Sequence, residues 1–215
     1  MSKQLKTRGI VLKYFKYRET SVIVHVFTEK FGRQSFIVNG IRSAKRQGGV
    51  ALFQPLTLLE LVVYYKEGSD IHRLSEFNVA EPLNHIYTAI KKSSIALFMA
   101  EVLNKSIKEQ MASEDMFWFI YHAIQILESL KTNYENFHLQ FLIKLARYLG
   151  FGADMLMEHD NLYADMARLP FDHELKISYS DRMRLLNELV SLYKSHVDGF
   201  GQLKSVEILR EVLSG

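Results

Sequence analysis

The feature that most constrains this chain is a change of hydrophobic period at Pro82. Before it, apolar residues alternate in short runs, the pattern of strands. After it they recur every three or four residues, the pattern of helices. Five runs precede the switch: 7–13 around Ile10 and Leu12, 20–28 (Val22, Ile23, Val24, Val26, Phe27), 33–39 with Phe36 and Val38, 56–65, and 71–77. Turn chemistry separates them at Lys30-Phe31-Gly32, Asn39-Gly40, Gly48-Gly49 and Glu67-Gly68-Ser69-Asp70. Gly32 and Gly40 are expected to supply left-handed turn positions. Five short strands leave exposed edges unless the sheet closes, and the OB-fold is the commonest five-stranded closed barrel. The expected class is α+β: a five-stranded OB-fold β-barrel over residues 1–80, followed by an all-α helical domain over 81–215.

Beyond Pro82 the expected helices are 86–108 (Ile90, Ala96, Leu97, Ala100, Leu103), 116–130, 134–149, 180–194 and 205–213. Ser113 reads as an N-cap, with Glu114 and Asp115 in the first turn where the helix dipole favours negative charge. Phe137, Phe141, Leu142, Leu145 and Leu149 share one face of the third helix, and Gly150 stands where a terminating glycine belongs. Ser205 reads as the N-cap of the last helix, and Gly199-Phe200-Gly201 as a flexible link. Residues 152–179, with Pro170, are the least regular stretch.

Charge is divided as sharply as period. Residues 1–80 carry 13 Lys and Arg against 6 Asp and Glu, a net of +7, and the remaining 135 carry 14 against 18, a net of −4. A basic module joined to a mildly acidic one fits a chain in which only one part faces a polyanion. A solvated, lysine-decorated β-domain fits the charge equally well. Cysteine is absent, which excludes disulfides and thiolate metal sites and makes a reducing cytoplasm the expected compartment. No apolar run approaches the roughly 20 residues that cross a bilayer, and the first six residues lack a signal-peptide core.

Catalytic signatures are missing: there is no Walker loop, GxSxG, HExxH or dinucleotide fingerprint. The eight histidines are dispersed, and neither His159-Asp160 nor His173-Glu174 has the spacing of a preformed metal site. No cofactor and no metal is expected, and enzymatic function has no positive support. Phe117, Trp118, Phe119 and Tyr121 read as helix packing. Tyr14, Phe15 and Tyr17 interleave with Lys13, Lys16 and Arg18, setting rings beside cations as proteins that hold single strands do. Of these rings, Phe15 is expected to be the one spent on the barrel core. A second basic group, Arg42, Lys45 and Arg46, lies on a glycine-flanked loop after the third strand. The expected phosphate-contacting set is Arg8, Lys13, Lys16, Arg18, Arg33, Arg42, Lys45 and Arg46. Strand alternation sends neighbours in that set to opposite faces.

In order along the chain, Arg8-Gly9-Ile10-Val11-Leu12, Arg18-Glu19-Thr20-Ser21 and Phe27-Thr28-Glu29-Lys30-Phe31-Gly32 resemble the opening of the RecO family. The resemblance continues through Asn39-Gly40, Gln54-Pro55, Leu58-Leu59-Glu60 and Leu74-Ser75-Glu76. It resumes at Phe141-Leu142-Ile143-Lys144-Leu145 with Leu149-Gly150-Phe151, and at Leu203-Lys204-Ser205 with Leu209. Many RecO proteins carry a four-cysteine zinc module whose counterpart here is 152–179, and this chain has no cysteine to build one. Lys144 stands where the family usually has Arg, without the planar fork of a guanidinium.

The resemblance implies a recombination mediator of DNA repair, cytoplasmic and nucleoid-associated, that binds single- and double-stranded DNA and anneals complementary strands. It further implies that, with RecR, the protein helps load RecA on strands coated by single-stranded-DNA-binding protein. That protein's acidic C-terminal tail would meet the helical domain, with Lys144 and Arg147 the candidate cations. Two rivals remain open from the residues: a protein-interaction adaptor built on the barrel, and an RNA-binding OB protein that reads the 2′-OH.

Overall fold

Strands β1 (Lys3–Tyr17), β2 (Ser21–Thr28), β3 (Gly32–Val38), β4 (Leu58–Tyr65) and β5 (His72–Glu81) close into a barrel in the order β1-β2-β3-β5-β4. The computed structural model describes residues 3–42, 49–66, 68–108, 112–152 and 161–214. The expected OB-fold is therefore present. Every pairing is antiparallel except β3–β5, which is parallel at Phe36–His72 and Ile37–Arg73. β1 runs well beyond the expected apolar segment because it serves two neighbours. Its residues 3–10 pair with β4 and its residues 9–17 pair with β2.

Inward-facing Val11, Val22, Val24, Val26, Phe36, Val38, Leu59, Leu61, Val63 and Leu74 form the barrel core, with Ile41 and Phe53. A short 3-10 turn, Gly49–Phe53, supplies Phe53. The β1–β2 register shifts between Val11 and Lys13, where Leu12 forms a bulge. An extra residue resets strand alternation. Without the bulge Phe15 would follow Val11 inward; with it Tyr14 packs against the core and Phe15 faces out, 40% exposed. The expectation that Phe15 fills the core is thereby corrected.

The described helices are α1 (Asn84–Thr88), α2 (Ile90–Ser106), α3 (Glu114–Ser129), α4 (Phe137–Tyr148), α5 (Asn161–Arg168), α6 (Tyr179–His196) and α7 (Ser205–Val212). Ser113 caps α3 as expected, its hydroxyl accepting from the Met116 N–H at 3.2 Å. α5 lies inside the stretch read as irregular. At α7 the expected side-chain cap by Ser205 is replaced. The Glu101 carboxylate accepts from Lys204 N at 3.0 Å, Ser205 N at 2.8 Å and Ser205 Oγ at 2.6 Å. The Gly199-Phe200-Gly201 link is pinned: Phe200 is buried, and Lys105 Nζ donates to the carbonyls of Phe200 and Gln202 at 2.8 and 2.7 Å.

The chain divides into two compact units. One comprises Met1–Leu83 with Ile107–Tyr121, the other Asn84–Ser106 with His122–Gly215. The helical unit has its own core, including Phe98, Leu103, Leu139, Phe141, Leu185, Leu189 and Leu209. The buried Tyr193 hydroxyl in that core donates to the Leu142 carbonyl at 2.8 Å. Among the described residues no helix is long and apolar enough to cross a membrane.

Candidate nucleic-acid interface

β1, β2 and β3 contain no Asp or Glu, while they carry Lys3, Lys6, Arg8, Lys13, Lys16 and Arg33. Among the described residues the barrel's acids fall in connections (Glu19, Glu29, Asp70) or on β4 and β5 (Glu60, Glu76, Glu81). The three strands themselves therefore carry cations and no acid, with Glu19 and Glu29 confined to the turns that join them.

Registers across the outer face of those strands define three rows. Phe15, Ile23, Ile37 and Arg73 form one, Lys13, His25 and Ser35 the next, and Ile10, Phe27 and Arg33 the third. The third row is covered from within the same unit. The Phe27 ring packs 5.9 Å from that of Phe117, and Arg33 Nη1 donates to the Ile107 carbonyl at 2.8 Å. Arg33 Nη2 also lies 3.3 Å from His25 Nδ1, which must then accept and be unprotonated at that nitrogen. In the other two rows Lys13, Phe15 and Arg73 are exposed.

At the edge of those rows two connections are fastened together. Arg18 adopts a left-handed conformation, φ 51°, that turns β1 into β2. The Arg42 N–H donates to the Thr20 carbonyl at 3.0 Å, and its Nη1 donates to the Arg18 carbonyl at 3.3 Å. Ser21 Oγ donates to Asn39 Oδ1 at 3.0 Å, which ties the same turn to the end of β3. Arg18 and Arg42, 24 residues apart, thus share one corner, both exposed.

Of the eight expected phosphate contacts, Lys13, Arg18 and Arg42 lie on the open rows or their corner. Lys16 is exposed near the end of β1, opposite Val22. Arg8 belongs to another side: it faces Glu60 across the β1–β4 register, and its guanidinium lies 5.0 Å from the Trp118 ring centre. The groove there mixes Lys6, Arg8 and Lys30 with Glu29, Glu60 and Glu76, so its charges offset. Arg33 is engaged by Ile107 and His25. Lys45 and Arg46 lie outside the described residues. Sequence reasoning missed Arg73, because a lone cation in a fifth strand carries no local signal; only the parallel β3–β5 pairing sets it beside Ile37.

The first 83 residues match the family Recombination protein O N terminal, and residues 87–156 match Recombination protein O C terminal. Similarity to full-length relatives is equally broad. The protein named DNA repair protein RecO of Flavobacterium psychrophilum is 34% identical over 98% of this chain and 100% of its own length. Its namesake in Bacteroides fragilis is 32% identical over 96% of this chain and 98% of its own. The chain belongs to the RecO family.

Several RecO motif residues now have visible tasks. Thr28 Oγ1 donates to the Gly32 carbonyl at 2.8 Å and accepts from the Phe31 N–H at 3.0 Å, which closes the β2–β3 hairpin around Gly32 (φ 64°). Leu149-Gly150-Phe151 ends α4 in a Schellman motif. Gly150 has φ 84°, its N–H donates to Arg147 O at 3.2 Å, and the Phe151 N–H donates to Ala146 O at 3.2 Å. Lys144, expected to meet a partner, instead turns inward. Its Nζ donates to the carbonyls of Ala167 and Leu169 at 2.9 Å each, at the C-terminal end of α5, where a cation also suits the helix dipole. Burial, then the neighbouring Arg147 charge, lowers its pKa from the ordinary lysine value. This ammonium and the Phe137–Phe171 ring stack, 4.3 Å apart, hold α5 and the chain that follows it against α4. Arg147 is exposed.

Proposed function

We propose that this RecO-family chain is a DNA repair protein that binds single- and double-stranded DNA on the open basic side of its barrel and anneals complementary strands without catalysing bond chemistry. The observation that carries the reading is that β1, β2 and β3 carry cations and no acid, with Lys13 on their outer face and Arg18 and Arg42 at a corner fixed by hydrogen bonds, Glu19 in the turn being the one acid beside them among the described residues. Two strands repel through their phosphates, and cations that neutralise both lower that repulsion. Phosphate contacts position a polyanion without reading sequence, as annealing of arbitrary strands requires. The absence of nucleotide-binding and nucleophile motifs in the sequence accords with a process that needs neither. In the finer reading the protein acts with RecR to load RecA on strands coated by single-stranded-DNA-binding protein. The helical unit receives that protein's acidic tail near the exposed Arg147, with Lys144 bracing α5 behind it.

The test is fluorescence anisotropy of a labelled single strand across a salt series. Wild type is compared with the Lys13→Ala/Arg18→Ala/Arg42→Ala variant. On single strands each neutralised phosphate contributes about 0.7 to the slope of log K against log salt, so the variant's slope should be shallower by about 2. An unchanged slope would move the DNA off this side. No wild-type binding at low salt would favour a protein-interaction adaptor, and a strong preference for RNA of the same sequence would favour an RNA binder.

A further inference from the structure

The open side of the barrel is not uniformly polar. Its row nearest the Arg18–Arg42 corner is apolar across three strands: Phe15 on β1, Ile23 on β2 and Ile37 on β3, ending at Arg73 on β5. Ile23 in the middle is 6% exposed, while Phe15 is 40% exposed. A single exposed apolar side chain needs no explanation. This one differs in three respects. The Leu12 bulge places it outside, and bulges re-aim side chains at sites. Its ring has a neighbour, His25, with ring centres 5.4 Å apart and planes 38° apart, and the residue keeps 40% of its surface exposed. Cations flank it: Lys13 lies two residues back along the same outward face, and Tyr17, two residues on, carries the Arg18 guanidinium 5.2 Å from its ring centre.

We infer that the exposed Phe15 ring makes this row a base-stacking strip, with the buried Ile23 as its support, and that it lets the barrel discriminate unpaired strands from duplex. The inference rests on the DNA-binding reading above and adds what the strip is for. Bases in a duplex are stacked on each other and present only edges and phosphates, so they cannot reach Phe15. Duplex and single strand therefore share the Lys13, Arg18, Arg42 and Arg73 phosphate contacts, and the unpaired strand alone gains a ring contact. A π face is common to every base, so stacking here favours single strands without choosing among sequences. Arg73 closes the far end of the row, so a base laid across it has a cation on either side for its neighbouring phosphates. An annealing surface turns over more readily with such a strip: the duplex it forms lacks the ring contact, is held less tightly than the strands that made it, and leaves.

The experiment measures the full chain's affinity for an oligo-dT strand and for a duplex of equal length at one salt concentration, and takes their ratio. Stacking of one base on a protein ring is worth about 5- to 150-fold. Phe15→Ala should therefore lower the single-strand to duplex ratio about tenfold or more, and Phe15→Trp should restore it. The emission that Phe15→Trp adds over wild type should be quenched by oligo-dT and much less by duplex. An unchanged ratio in Phe15→Ala, or equal loss on both substrates, overturns the strip. If Phe15→Ala fails to fold, the Phe15→Trp emission decides, and no quenching overturns it. Failure of the strip alone leaves the Lys13/Arg18/Arg42 salt slope as expected. Failure of the underlying reading removes DNA binding by wild type as well.

Discussion

Gly9 faces the barrel interior, where a Cβ would stand 2.5 Å from Val26 Cγ1 and 2.8 Å from Leu61 Cδ1. Both neighbours belong to the packed core, so neither side chain can withdraw without displacing others. Gly9→Ala should lower stability by about 1–3 kcal/mol in denaturant unfolding, the usual cost of overpacking; an unchanged midpoint would mean the barrel breathes at this position. His138, on α4, is fully buried, and among the described residues neither of its ring nitrogens has a partner of good hydrogen-bond geometry. Burial first, then the Arg182 charge, push its pKa from 6.5 down to about 3, with only the Glu135 backbone opposing. A histidine lowered in this way takes up a proton in the unfolded chain first. Stability is therefore unaffected above pH 6.5 and falls between pH 6.5 and about 3, by up to about 1.4 kcal/mol per pH unit. His138→Leu should flatten that slope in acid titrations of the unfolding midpoint; a slope unaltered by the substitution would assign the acid sensitivity elsewhere. Single residues were also where the sequence was least legible. The identity of Arg33 or Lys144 as a cation says nothing of the carbonyls that claim it, and one bulged residue exchanged Tyr14 for Phe15.

Helix ends show how far local sequence carries. Gly150 could be placed from the sequence because its signal is local: an apolar helix face stops, and a residue free to take φ 84° follows. Gly150→Ala forces a Cβ into that left-handed conformation and should cost about 1–2 kcal/mol in thermal or denaturant unfolding. The start of α7 falls at Ser205 as expected, but its cap could not be foreseen, because the cap is Glu101, 104 residues before Ser205. Burial by itself would raise the Glu101 carboxyl. The hydrogen bonds from Ser205 and Lys204 outweigh it and, with the Lys105 charge, hold its pKa below the ordinary 4.5. A lowered carboxyl adds stability that is complete above pH 4.5 and is lost as pH falls through the folded pKa. Glu101→Gln should lower the unfolding midpoint at pH 7 and shrink the gap to wild type in acid. A constant gap across that range would show that the contact acts through shape and not charge. α5 escaped notice for the opposite reason: eight residues, with Tyr163, Met166 and Ala167 buried, are too short to show a period, and the Lys144 ammonium that ends the helix lies outside it.

At the scale of the molecule, the period change at Pro82 marks where strands give way to helices, but not where the barrel's fold unit ends. That unit takes back Ile107–Tyr121 after an excursion through α1 and α2. Periodicity in Phe117, Trp118, Phe119 and Tyr121 showed that one helix face is buried; it could not show that Phe117 lies on Phe27 of β2. The returning segment also claims polar groups of the barrel: the Arg33 guanidinium of the third row donates to Ile107, and Tyr121 donates to Glu81 at the end of β5 at 3.2 Å. A fragment ending at residue 83 would therefore close its barrel yet uncover Phe27, whose burial is worth about 1.5–3 kcal/mol, and leave Arg33 without its Ile107 acceptor. Such a fragment should melt several degrees below one in which 107–121 follows through a Gly/Ser linker, and should bind more of a dye that reports exposed apolar surface. Its binding to single strands at Lys13, Phe15, Arg18 and Arg42 should persist at low temperature, since those four residues are exposed in the intact chain. Equal melting temperatures would mean that the five strands are self-sufficient and the segment only rests on them. Loss of binding in the fragment that retains 107–121 would place part of the DNA path in the helical unit.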